Sequence, residues 1–173
     1  MLNILKRYGT RRDIVTRLCE AVSARSRESV FFCELRVADT IDGRFDLLAL
    51  HAWLVMDELH RRQEIETGQK FVEVLFVQFD EALRELGAGD IGMTRRIKKM
   101  ASAFFGRLHA YREASDESSL AAAIVRNLYR GAQSGLQPAT ALAAYCFAAR
   151  GFLAQSRPEA GQVHFGPLPI IPG

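Results

Sequence analysis

The fold of this chain is decided by residues 44–62, which read RFDLLALHAWLVMDELHRR. Built as a helix, this stretch carries apolar side chains around most of its circumference. A helix of that kind is stable in water only when other elements cover it on several sides. The sequence therefore predicts a central core helix over residues 44–62, around which the rest of the chain packs.

Six further helices are predicted from apolar residues at helical spacing and from capping residues. No proline precedes Pro138, so the residue type that most strongly breaks helices is missing from most of the chain. In the first part of the chain we predict a helix after the N-cap Thr10, a short helix at 29–35 and a loop at 37–43. After the core helix we predict helices at 68–86 and 93–114, with Gly87 as the stop between them. The last two predicted helices are one capped by Ser115 or Asp116 and followed by Gly131, and one from Pro138 to about Ala154. The predicted fold class is an all-α, single-domain bundle of about seven helices.

The composition changes after residue 154. Proline and glycine become frequent in residues 155–173, which favours an extended tail over another helix. Apolar residues within it, such as Phe165 and Ile170, can pack on the domain or on a partner. We predict a helical domain over 1–154 and an extended Pro/Gly-rich tail over 155–173.

No catalytic or metal-binding constellation is recognisable. The stretch from Gly87 to Gly92 matches the letters of the dinucleotide fingerprint, but it follows a predicted helix, whereas that motif works after a strand. The histidines lack the spacing of zinc or di-iron sites, and the three cysteines are too scattered for a disulfide framework. The longest apolar run, 47–56, is too short to cross a bilayer. We predict no cofactor, no metal and no enzymatic activity.

Residues 95–107, RRIKKMASAFFGR, separate charge from apolar character most clearly. At 100° per residue, the four cations Arg95, Arg96, Lys98 and Lys99 fall within an arc of roughly 160°, and the apolar residues Ile97, Met100, Phe104 and Leu108 fall opposite. Gly106 lies on the outer face, where close approach by a neighbour would explain a glycine. This helix is a candidate binding surface, with an ordinary solvated face as the alternative.

Three blocks of the sequence resemble the ubiquinol–cytochrome c chaperone family, whose members assist assembly of the cytochrome bc1 complex. They are DGRFDLLALH at 42–51, FDEALRELGAGDI at 79–91 and RIKKMASAFFGR at 96–107. The family motif is carried in this chain by Asp42, Gly43, Arg44, Phe45, Asp46, Arg84, Glu85, Gly87, Gly89, Asp90, Met100, Phe104 and Gly106.

The resemblance implies a helical, non-enzymatic protein that binds newly made cytochrome b or other bc1 subunits. Mitochondrial members do so together with a small partner protein near the ribosome. This chain resembles the bare domain, so we expect a bacterial cytoplasmic member, peripheral at the inner face of the inner membrane. Specific nucleic-acid binding is not expected.

We hypothesise that six cations form the polar contact surface and attract acidic client loops or anionic lipid headgroups: Arg44, Arg95, Arg96, Lys98, Lys99 and Arg107. In an alternative role, Asp42, Arg44, Glu85 and Asp90 pair across the loops.

Two rival functions stay open at this point. The first is a helical enzyme or small-molecule binder that uses His51, Asp46 or Glu85 in an interhelical pocket. The second is a nucleic-acid binder that uses the basic residues of the N-terminal segment and of residues 95–107, with an affinity that falls steeply with salt.

Overall fold

The computed structural model describes the backbone of residues 2–85 and 90–170, and the side chains of that range except 2–10, 82, 83, 85 and 90–94. Within these residues the chain forms seven α-helices and, apart from one isolated bridge, no β-structure. The helices are α1 (Leu2–Ser26), α2 (Ser29–Cys33), α3 (Ile41–Arg61), α4 (Ile65–Glu85), α5 (Asp90–Arg112), α6 (Glu117–Asn127) and α7 (Leu136–Gln155). The prediction of an all-α, single-domain bundle is confirmed.

Helix α3 is the centre of the bundle, as its apolar circumference predicts. Thirteen of its 21 residues are buried, and it contacts α1, α4, α5 and α7. Its fully buried leucines, Leu47, Leu50, Leu54 and Leu59, pack against side chains of the surrounding helices in one continuous core. Burying a side chain of this kind stabilises the fold by about 1.5–3 kcal/mol, so the buried face of α3 makes a large contribution to the driving force of folding.

Several helices begin earlier than predicted. Helix α3 begins at Ile41 because the Thr40 side chain caps it by accepting a hydrogen bond from the Gly43 amide, so the predicted loop at 37–43 is shorter. A Cβ at Gly43 would lie 2.0 Å from the Ala38 carbonyl oxygen, and only glycine fits this turn. The prediction of Thr10 as an N-cap is wrong, since α1 already begins at Leu2.

The starts of α4 and α5 also precede the predicted ones, by three residues each. Gln63 adopts a left-handed conformation with φ 62°, which ends α3 sharply and allows α4 to begin at Ile65. Asp116, and not Ser115, caps α6, in a reciprocal capping box with Ser119. Pro138 is the third residue of α7 rather than the first, still within the turn where its missing amide is harmless. The predicted stop at Gly87 lies outside the described residues.

The C-terminal segment folds back on the bundle. The Arg62 guanidinium donates to the carbonyl oxygens of Ala154 and Ser156 at 2.8 and 2.9 Å. The Arg25 guanidinium donates to those of Gly166 and Pro167 at 2.8 and 2.9 Å. Phe165 is buried beneath the Arg25 guanidinium. Of the two positions that the sequence left open for the tail, the structure places residues 156–169 on the domain itself, whereas the Ile170 side chain is 80% exposed.

A buried hydrogen-bond chain lies under the tail. Arg25 donates to the Tyr145 hydroxyl at 2.9 Å, that hydroxyl lies 3.0 Å from His51 Nε2, and His51 Nδ1 lies 2.8 Å from the Leu47 carbonyl oxygen. A carbonyl only accepts, so Nδ1 carries the proton and Nε2 accepts from Tyr145. Burial lowers the pKa of His51 to about 4. His51 is therefore a neutral structural residue.

A candidate client-binding surface

The outer face of α5 presents the cations predicted from helical periodicity. Arg95, Arg96, Lys98 and Lys99 are exposed, whereas Phe104 on the opposite side is fully buried. Within the described part of the chain, these four cations have no carboxylate at ion-pair distance. We call Arg95, Arg96, Lys98 and Lys99 the basic face. Its charge is not neutralised by described residues of the chain and is available to an anionic partner.

Arg107 was predicted as part of this surface, and the structure corrects that prediction. Its side chain is only 14% exposed, and its Nε lies 2.6 Å from Oδ1 of Asp46, which is fully buried in α3. The guanidinium also lies over the Phe45 ring, 5.2 Å from its centroid. At 100° per residue Arg107 lies about 120° from Arg95, at the edge of the exposed arc, where the helix turns toward α3.

Asp46 holds a second cation, Arg130, which follows α6. The Arg130 guanidinium lies 2.7 Å from Asp46 Oδ2 and keeps half of its surface in solvent. Burial raises the pKa of the Asp46 carboxyl, and the two arginines oppose that effect because they favour its charged form. This cluster ties α5 and the end of α6 to the core helix. These pairings were not predicted from the sequence, because nothing local marks residues so far apart as partners.

Arg44 makes a local contact. Its Nε lies 2.6 Å from Asp39 Oδ1, and this hydrogen bond lowers the pKa of Asp39. Arg44 therefore pairs across the loop before α3, but with Asp39 and not with Asp42. The side chains of Glu85 and Asp90 lie outside the described residues, so that alternative is not tested for them.

The other motif residues serve mainly the fold. Phe45 packs against Phe79 with 5.5 Å between ring centroids, and Met100 lies half-buried beside the core. Arg84 pairs with Asp80 at 2.8 Å. Gly106 is exposed, and a Cβ there would meet nothing within 4 Å, so no described part of the chain requires a glycine at this position. Gly87 and Gly89 lie outside the described residues.

An apolar groove adjoins the C-terminal half of α5 and was not predicted from the sequence. Its volume is about 380 Å³, and it is lined by residues of three helices, among them Met56, Leu59, Ile65, Gly68, Val72 and Phe105. Ile65 and Phe105 are 49% and 52% exposed, and together they give the groove a solvent-exposed apolar rim. A faint signal exists in the sequence, since Lys98, Phe105 and Arg112 recur at seven-residue spacing and so share one stripe of α5.

Two of the residues suggested for a helical enzyme, His51 and Asp46, lie apart from this groove, and the side chain of the third, Glu85, lies outside the described residues. His51 belongs to the chain under the tail and Asp46 to the ion pairs of α5, so each is engaged in its own buried network. No group of three or more metal-binding side chains is assembled among the described residues. None of the described helices is long and apolar enough to cross a membrane.

Comparisons with known proteins agree on one family. A family model described as Ubiquinol-cytochrome C chaperone matches residues 33–160. Among solved structures, the chain is similar to the crystal structure of the Cbp3 homolog from Brucella abortus, with 32% identity, a TM-score of 0.80 and coverage of 94% of each chain. A search of curated proteins finds no match.

Proposed function

This chain belongs to the ubiquinol–cytochrome c chaperone family, and from that premise we propose that it binds newly made cytochrome b through the basic face of α5. Family membership supports the broader role of a chaperone for assembly of the cytochrome bc1 complex, and it implies that the protein is not an enzyme. The choice of client and the contact surface are our proposal.

The observation that carries the proposal is the unneutralised charge of the basic face beside an apolar groove. A client such as cytochrome b has apolar helices joined by polar loops. A protein that holds such a client before assembly needs cations for acidic loop residues and apolar surface for exposed segments. The basic face supplies the cations, and the groove beside Phe105 supplies the apolar surface.

We also propose that the protein works at the inner face of the bacterial inner membrane. Anionic lipids attract basic surfaces by about 1 kcal/mol per cation near the headgroups, so the basic face would be drawn toward the site of client insertion. The small assembly partner and the ribosome of the mitochondrial members are further candidate ligands of the same face, because acidic side chains and phosphates are attracted by the same cations.

The test is charge reversal on the basic face. In a strain that carries this chain as its sole copy, we expect R96E/K98E/K99E to lose crosslinking to cytochrome b and to lower the amount of spectroscopically detected bc1 complex. The three side chains are exposed, so the fold should be retained. Soluble yield and circular dichroism of the purified variant check this.

The matched control is R12E/R27E/R126E, which makes the same change in net charge. It reverses three exposed cations elsewhere: Arg12 on α1, Arg27 just after α1 and Arg126 on α6. We expect it to retain client capture. Equal losses in both variants would assign the effect to net charge, and normal bc1 levels in R96E/K98E/K99E would rule out the basic face. Recovery of RNA in place of cytochrome b, with binding that weakens steeply with salt, would favour a nucleic-acid binder.

A further inference from the structure

The groove beside α5 owes its depth to a missing side chain. Residues at four-residue spacing form a ridge that starts at Glu64, just before α4, and continues along α4 through Gly68, Val72 and Phe76, and Gly68 leaves a gap in it. Below the gap lies the Met56 thioether, 3.5 Å from the position that a Cβ at Gly68 would take. Methionine side chains adapt readily to the shape of a contacting group. The floor is therefore apolar and deformable.

One wall of the groove is an exposed aromatic ring held in a fixed position. Phe105 stacks on Phe76 with 6.3 Å between centroids and 24° between ring planes. Phe76 itself packs edge-on against Phe79 and Phe104, so the exposed ring is supported from the core. A rigid, half-exposed aromatic group next to a pocket loses little entropy on binding, and such residues supply much of the affinity of protein interfaces.

The charges around the groove differ between its two sides. Glu64, just before α4, and Glu73 on α4 line one side, and Arg112 lines the α5 side. Glu73 also pairs with Lys70 at 2.7 Å in an exposed ion pair, so Glu64 is the carboxylate of this side without a cation at ion-pair distance among the described residues. Lys98 lies on the same stripe of α5 as Phe105 and Arg112. An occupant of complementary charge carries cations on one flank and carboxylates on the other. A uniformly anionic membrane surface does not meet this condition, because it offers no cation to Glu64 or Glu73.

The floor also disfavours a small polar ligand. The lining includes five polar residues, all of them exposed or half-buried: His60, Glu64, Gln69, Glu73 and Arg112. The buried part of the lining, Leu59 and Gly68, presents no polar side-chain group to orient such a molecule, whereas small-molecule sites combine apolar walls with a few convergent polar groups. An amphipathic helix satisfies both conditions, because its apolar stripe fills the floor and its two flanks meet the charged rims.

We propose that this groove binds an amphipathic α-helix of a partner protein, with apolar anchors at helical spacing, basic residues on the flank that faces α4 and acidic residues on the flank that faces α5. The proposal does not depend on the identity of the client. Because a helix reversed end to end exchanges its two flanks, the charge pattern determines the direction in which the helix lies.

The probe is a fluorescein-labelled synthetic helix with leucines at i, i+3, i+4 and i+7, lysines on one flank and glutamates on the other. Three matched peptides carry glutamate on both flanks, lysine on both flanks, or glutamine in place of every leucine. We expect saturable binding, tightest for the mixed-flank peptide and lost for the glutamine peptide. Methyl NMR signals of Met56 and Ile65 should shift on titration.

Two variants localise the binding. Phe105→Ser removes the wall, and Gly68→Leu fills the floor, and each should weaken binding of the mixed-flank peptide by about tenfold or more. Gly68→Leu should fold at least as well as the natural chain, because leucine favours a helix interior more than glycine does and a Cβ is accommodated there. Val77→Ser is the matched control, since Val77 is 56% exposed on α4 outside the groove.

Wild-type affinity of Gly68→Leu for the mixed-flank peptide would overturn the proposal, as would peptide-induced shifts confined to other parts of the protein. A third outcome would also overturn the proposal: no peptide binds, the protein binds vesicles of anionic phospholipid, and Phe105→Ser abolishes that vesicle binding. The groove would then be a membrane contact. Since the assay contains no cytochrome b, its outcome is independent of the test of the basic face.

Discussion

Replacing Asp46 by asparagine should destabilise the protein strongly, although asparagine has almost the same shape. Asp46 is fully buried and lies within 2.7 Å of two guanidinium groups, Arg107 and Arg130. The substitution removes the negative charge and leaves the Arg107 cation in the interior without its partner. Two cations this close should keep the carboxyl charged at neutral pH even though burial raises its pKa.

The magnitude follows from the exposure of the two arginines. Removing one partner of a buried pair costs about 3–5 kcal/mol. Arg107 is 14% exposed and keeps a hydrogen bond to the Ala103 carbonyl oxygen, so the lower end applies, while the half-exposed Arg130 can turn into solvent. We expect a loss of about 3 kcal/mol and, at roughly 2–4 °C per kcal/mol for a domain of this size, a Tm lowered by roughly 6–12 °C.

The assay is urea unfolding followed by far-UV circular dichroism at neutral pH, with thermal unfolding as a second measure. The double variant D46N/R107M removes the charge together with its partner and should recover most of the lost stability. Asp39→Asn, which breaks the exposed pair with Arg44, should leave the unfolding midpoint close to that of the natural chain. A change below about 1 kcal/mol in D46N would refute the reasoning, because the buried carboxyl would then carry no charge to lose.

Two further predictions concern the core and the start of α3. His51 has its folded pKa lowered to about 4 from a reference of 6.5, so the unfolded state binds the extra proton and stability should fall as pH drops from about 6.5 to about 4. Across this pH range the free energy of unfolding should fall by roughly 3 kcal/mol through His51. His51→Gln should remove that part of the pH dependence of the free energy of unfolding. Gly43→Ala should lower the Tm, because its Cβ would lie 2.0 Å from the Ala38 carbonyl oxygen. Gly151→Ala should leave the Tm unchanged, because a Cβ there meets nothing within 4 Å. Equal Tm values for the two variants would contradict this prediction.

Local chemistry explains which features the sequence predicts well. The core helix follows from one apolar stretch, the start of α6 from the capping side chain of Asp116, and the basic face from the spacing of four cations. Each of these signals lies within a few residues. The starts of α3 and α4 were misplaced because Thr40 and the left-handed Gln63 set them, and a pattern of apolar residues does not detect either.

The remaining features depend on residues that only the folded chain brings together. Arg107 looks like its cationic neighbours in the sequence, and its role becomes clear only through Asp46, 61 positions earlier. The groove combines Met56 from α3, Gly68 from α4 and Phe105 from α5. The position of the tail is set by Arg25 and Arg62, whose acceptors are backbone carbonyls without any sequence signature.

The cations of α5 divide into two energetic kinds, and this division bears on function. Arg107 stabilises the fold through a buried pair, whereas the basic face costs stability in the free protein. Arg95 repels Lys98 and Lys99 at three- and four-residue spacing, and Arg96 repels Lys99 at three-residue spacing. At about 0.2–0.5 kcal/mol for each pair, these repulsions sum to about 1 kcal/mol, and no described carboxylate relieves them.

An anionic partner would relieve these repulsions, and the relief would add to its binding free energy. The ion pair between Asp46 and Arg107 meanwhile holds α5 against the core helix. The same reasoning predicts the stability of the charge-reversal variant. In R96E/K98E/K99E the carboxylates at positions 98 and 99 stand three and four residues from Arg95, where opposite charges attract, while the pair at positions 96 and 99 stays repulsive as in the natural chain. The variant should therefore be no less stable than the natural chain in urea unfolding, and a loss of client capture would reflect the surface and not the fold.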